Sequence, residues 1–237
     1  MTLKHLTGRL LDDALKTVQS GQQGLSMEKY FRTAEYILLE AKEYVDGACE
    51  MIDCNKYNAS LTLSRWVLEA SMNLLWAVAD KDKTEQHLNN LVGEALGHEA
   101  NLNEGKTNLW PEHASVYASK ANNARKMRHS LGCEKPASLR TRINSIKDLG
   151  DCPKLYDLYK ICCSSAHPSL RVWERFRNIG NVMVPVMPDD KKKIACWMVA
   201  ASVLYLVFSV YCLTELGDVH NLEDWWSKQM MPLLNKS

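Results

Sequence analysis

Apolar residues recur every three or four positions along nearly the whole chain and almost never at every second one, which predicts an all-α fold. Leu3, Leu6, Leu10, Ala14 and Val18 mark a first helix, which stops in the Gly- and Gln-rich residues 20–24. Ser26 is placed to cap a second helix, whose stripe runs from Tyr30 through Ile37, Leu38, Tyr44 and Val45 to Ile52. After a break at residues 55–58, a third helix covers residues 59–79. Residues 84–100 are amphipathic but weakened by Gly93 and Gly97, and the Asn- and Gly-rich residues 101–108 read as a loop. Pro111 suits the first position of a further helix that ends at Gly132. A short helix over residues 138–149 follows, then one that starts near Pro153 and is stopped by Pro168. Residues 181–188 look extended, but two prolines make them a poor central strand. Asp189 can cap a long helix ending at Gly217, and Asn221 a short last one. The expected architecture is a multi-helix bundle of eight or nine helices around two apolar central helices, residues 59–79 and 189–216. Its expected parts are an N-terminal helix (1–25), a bundle domain (26–217) and a C-terminal helical tail (218–237).

Residues 194–214 carry no charge, and 18 of these 21 positions are apolar. That length can span a bilayer. The run also holds Ser202, Ser209 and several Ala residues suited to close helix packing, so a buried core helix is expected and a membrane anchor is the alternative. The first residues are charged every few positions and show no signal-peptide core. The eight cysteines include an adjacent pair, Cys162 and Cys163, and none has the C-x-x-C spacing of a zinc or redox site. Reduced thiols in a cytoplasmic protein are the expectation. Trp225, Trp226, Met230 and Met231 would expose a large apolar surface on a free tail, so they are expected to pack on the bundle or on another subunit.

Charge then singles out one place in the predicted core. Between Ser60 and Ala79 only Arg65 and Glu69 are charged, one helical turn apart on an otherwise apolar helix expected to be surrounded. An unpaired buried charge costs several kcal/mol, so both need partners. Either they pair with each other and set the helix register, or they aim at a third group in a polar core site. Tyr156, Tyr159, Cys163 and His167 share one predicted helical face and supply such groups. His167 falls at the helix C-terminus, where the dipole favours imidazolium. Arg65, Glu69, Tyr156, Tyr159 and His167 are thus the candidate catalytic residues for general acid–base chemistry, with a purely structural role as the alternative.

Arg65-x-x-x-Glu69 on an apolar helix, followed by Tyr156-x-x-Tyr159 and Ser165-Ala166-His167-Pro168-Ser169, resembles the bacterial domain-of-unknown-function family 5677 over roughly residues 30–215. That family is all-helical, has no assigned activity, and looks distantly like the HEPN bundles. The resemblance implies an all-α fold and, at one further remove, a metal-independent ribonuclease or a toxin in phage defense. The HEPN signature places an Arg shortly before its His. Here Cys162, Ile161 and Lys160 stand at those positions before His167, which leaves Lys160 or Arg65 to supply the cation through space.

The net charge of +1 hides an asymmetry. Residues 120–178 hold 13 Lys/Arg against 5 Asp/Glu, a local net of +8, and the remainder holds 16 against 23, a net of −7. Lys120, Arg125, Lys126, Arg128, Arg140 and Arg142 are the candidate nucleic-acid-binding residues, with Lys135 and Lys147 in the same stretch. The same stretch could instead be a solvated face or dock on an acidic surface of the molecule. His87, Glu94 and His98 share a helical face read as solvated, so no metal or cofactor is expected. Ser164 and Ser165 lie near His167 without a nucleophile elbow. Three functions stay open: a metal-independent ribonuclease or toxin acting on RNA, a non-catalytic interaction or sensor module with a protein partner or second copy, and a small-molecule or nucleotide binder.

Overall fold

The computed structural model describes residues 2–21, 28–134, 137–146, 152–166, 176–179, 182–185 and 188–235. The described residues are helical apart from short turns and one two-stranded hairpin. The chain divides into two compact units: residues 1–75 with 147–237, and residues 76–146.

The first unit holds α1 (Leu3–Gly21), α2 (Glu28–Asp53), most of α3 (Tyr57–Val78), α7 (Cys152–Ala166), the hairpin β1–β2 (Phe176–Ile179 and Val182–Pro185) and α8 (Pro188–Thr214). It also holds α9 (Val219–Asp224) and α10 (Met231–Leu234), which are joined without a break by a π-helical turn at Trp225–Met230. Thr2 caps α1 by accepting from His5 N–H at 3.2 Å. The buried stripe of α1, from Leu6 through Leu10, Leu11 and Ala14 to Val18, packs on α2 and α8. The chain turns out of α2 through Asn55, which adopts φ 58° while Lys56 N–H reaches back to Met51 O at 2.7 Å. Helix α8 is buried nearly all round, through Val199, Val203, Leu206, Val210 and Leu213, as a core helix must be. Among the described residues it is the one helix long and apolar enough to cross a membrane, and 67% of its most apolar window is buried inside the protein. Ser209 on α8 donates to Ser71 O on α3 at 3.1 Å, which small residues on both helices permit.

Helix α3 is not surrounded as expected. Leu61, Ser64, Val67, Leu68, Ser71 and Leu75 are buried, whereas Leu63, Trp66 and Ala70 are half-exposed. Trp66 keeps its ring covered by stacking on Tyr44 at 4.4 Å between centroids. Among the described residues the strand at Val182–Pro185 pairs only with its hairpin neighbour, so Pro185 breaks no central ladder there. The short last helix is capped by Asp218, which accepts from His220 N–H at 2.9 Å, rather than by Asn221. The expected cap Ser26 lies outside the described residues.

The second unit is built on α4 (Thr84–Leu109) and α5 (Ala114–Ser130), packed along their lengths, with the short α6 (Leu139–Ser145) beyond them. The expected loop at residues 101–108 is a correction: α4 runs unbroken through it. Ala100 and Asn103 are buried there, and Asn103 donates to Glu99 O at 3.0 Å, so packing overrides weak local propensity. Gly93 is required by close approach, since a Cβ there would stand 2.2 Å from Cys133 Sγ and 2.9 Å from its Cβ. Pro111 opens a single 3₁₀ turn before α5, and Gly132 ends the helix at φ +58°.

Candidate functional site

The first unit brings three of the expected site residues together. Arg65 and Glu69 project one turn apart from α3, and Tyr159 reaches them from α7. Arg65 Nη2 donates to Tyr159 Oη at 3.0 Å, and the guanidinium carbon lies 5.3 Å from the Tyr159 ring centroid. The Tyr159 hydroxyl donates in turn to Glu69 Oε2 at 3.5 Å, and Arg65 Nε stands 4.0 Å from the same oxygen. The last two contacts are at the outer limit of useful geometry, so the Arg65–Tyr159 bond dominates the network. The Arg65 and Glu69 side chains remain 32% and 41% exposed, which corrects the expectation that both are buried charges. Water therefore relieves part of the desolvation penalty that made partners necessary.

Burial holds the Tyr159 hydroxyl above its ordinary value, the neighbouring Cys163 thiol and the Glu69 charge add to the rise, and Arg65 works against it. Tyr159 is therefore a proton donor across the physiological range and not a base. Burial pulls Arg65 down, but the Tyr159 hydroxyl and the charges around it outweigh this and hold the guanidinium above its ordinary value. Burial also pushes the Cys162 thiol, on the next turn of α7, up to about 12. The arrangement can hold an oriented guanidinium against solvent with its charge balanced by Glu69. Proton abstraction would fall to His167, which lies outside the described residues, as do Lys135 and Lys147. Tyr156 lies within α7, and Ser164 and Ser165 in its last turn.

Among the described residues, the cations of α5 do not share one helical face. Lys120, Lys126, Arg128 and Arg140 are exposed. At 100° per residue, Lys120, Arg128, Arg125 and Lys126 fall at roughly 0°, 80°, 140° and 240° around α5. Arg125 is ion-paired with Glu104. Arg142 is a correction, because its side chain is only 5% exposed and is bound to Glu94 Oε2 at 2.7 Å. Its Nε donates to Ala137 O at 2.7 Å, and its guanidinium lies 5.3 Å from the Trp76 ring centroid. Among the described residues, Arg142 thus spends its guanidinium on Glu94, Ala137 O and the Trp76 face.

That internal cluster is what sequence reasoning missed. Trp76 stacks on His87 at 4.1 Å, with His87 Nδ1 buried and without a hydrogen-bond partner among the described residues. Asn90 is buried and accepts from Glu134 N–H at 2.8 Å. The face of α4 read as solvated is thus partly packed. The signal was Trp76 and Arg142 as groups in need of partners, and the Glu94–Arg142 bond spans 48 residues. Among the described residues no three His, Cys, Asp or Glu side chains converge as a metal site. Compared with known protein families, curated proteins and solved structures, the chain matches none, so the meaning of the site rests on its own geometry.

Proposed function

We propose that the protein is a non-catalytic interaction or sensor module of a defence or regulatory complex, in which Arg65, Tyr159 and Glu69 clasp α3 to α7. The observation that carries this reading is mutual satisfaction: Arg65 is bonded to Tyr159 at 3.0 Å and Glu69 balances its charge, while Tyr159 is held protonated. A clasp has a measurable consequence. In a double-mutant cycle of Arg65→Ala and Tyr159→Phe, followed by urea unfolding, the pair should couple by about 1 kcal/mol, the size of a half-exposed charge-assisted hydrogen bond. Strictly additive losses would remove the clasp.

The second reading, an RNA-directed and metal-independent nuclease or toxin, draws on the exposure of Arg65 and Glu69, which leaves donors of the guanidinium open to an anion. In it His167 is the acid–base group, Arg65 stabilises phosphorane charge and Glu69 orients it.

A further inference from the structure

A cleft of about 280 Å³ opens in the first unit between the first turn of α1, the end of α2, the start of α8 and α10. Its walls are Leu3, Ile52, Leu233 and Leu234, with the buried thiols of Cys49 and Cys196 between them. Thr2, Lys4, Asp53 and Lys192 complete the lining. The volume lies just below the roughly 300–1,000 Å³ of sites for drug-sized ligands, so an occupant is a small metabolite and not a chain segment.

The charges at the cleft are not equivalent. Lys4 is already engaged, at 3.2 Å from Glu50 and 3.8 Å from Asp46. Lys192 and Asp53 are exposed, and neither has an ion-pair partner among the described residues. Both act on one atom: burial pushes the Cys196 thiol up, while Lys192 lowers it and Asp53 raises it. One cation and one anion without an ion-pair partner among the described residues therefore line the same cleft, above an apolar floor. A plain carboxylate would meet Lys192 but be repelled by Asp53, and a plain amine would meet the reverse. A molecule that carries both charges on one end and an apolar group on the other satisfies every side of the cleft.

We propose that this cleft binds a small apolar α-amino acid, with its carboxylate at Lys192, its ammonium at Asp53 and its side chain on Leu3, Ile52, Leu233 and Leu234. The cleft shares no residue with the Arg65–Tyr159 clasp, so its failure leaves that reading intact, and the reverse also holds. The test is a methyl-labelled NMR titration of the full chain with L-leucine, 4-methylpentanoate and isopentylamine. L-Leucine is expected to shift the Ile52, Leu233 and Leu234 methyls saturably, and the two single-charge analogues to bind more weakly by up to about fivefold, one exposed charge contact being worth up to ~1 kcal/mol. Lys192→Ala and Asp53→Ala, both at exposed positions, should each weaken L-leucine by a similar factor with the melting temperature unchanged. Equal binding of 4-methylpentanoate and L-leucine, indifference to Asp53→Ala, or no shift at millimolar L-leucine would each overturn the proposal.

Discussion

Arg142 shows how far residue type alone can mislead. In sequence it is one of several cations in a basic stretch. In the fold its guanidinium is 5% exposed, bonded to Glu94 and to Ala137 O, and laid over Trp76. Removing it should therefore act on stability. Arg142→Ala is expected to cost about 2 kcal/mol in urea unfolding, less than for a fully buried pair because Glu94 stays 39% exposed and can be hydrated. Arg142→Lys should recover only part of this, since an ammonium cannot serve Glu94, Ala137 O and the Trp76 face together. By contrast, Lys126→Ala, at an exposed position, should leave stability within about 0.5 kcal/mol. The Arg65–Glu69–Tyr159 convergence was legible because an i,i+4 charge pair on an apolar helix is a conspicuous demand for a partner. The Trp76–Arg142–Glu94 cluster was not, because the contact between Glu94 and Arg142 spans 48 residues and follows no local spacing.

Among the helices, periodicity read α1 and α2 well, since their buried stripes are largely the residues the 3.6 repeat selects, and α8 was legible from its long uncharged apolar run. It failed in the second half of α4, where Asn and Gly argued for a loop and contact with α5 decided otherwise. Packing also gives two glycines of one helix opposite meanings. At Gly93 an added Cβ collides with Cys133, whose own Cβ cannot rotate away, whereas at Gly105 nothing stands within 4 Å. Gly105→Ala should stabilise the protein by about 1 kcal/mol through helix propensity. Gly93→Ala should destabilise it by about 1–2 kcal/mol in spite of the same gain, because overpacking wins. Urea unfolding of the two variants side by side checks the pair.

Across the whole molecule, buried thiols set a direction for pH dependence. Burial pushes Cys49 and Cys162 up to about 12, from an ordinary value of 9.0. An acid whose folded value is raised favours the folded state below its unfolded value and loses that advantage as pH rises through the folded one. Melting temperature should therefore hold up to about pH 9 and fall between pH 9 and 12, and Cys162→Ala should flatten that fall. An unchanged slope in the variant would remove the thiol from the account. Function is tested at the same scale by incubating the full chain with mixed cellular RNA in EDTA, beside Arg65→Ala. The account predicts intact RNA in both. Cleavage by the wild-type chain that disappears in Arg65→Ala would contradict the clasp and make Arg65 a catalytic residue.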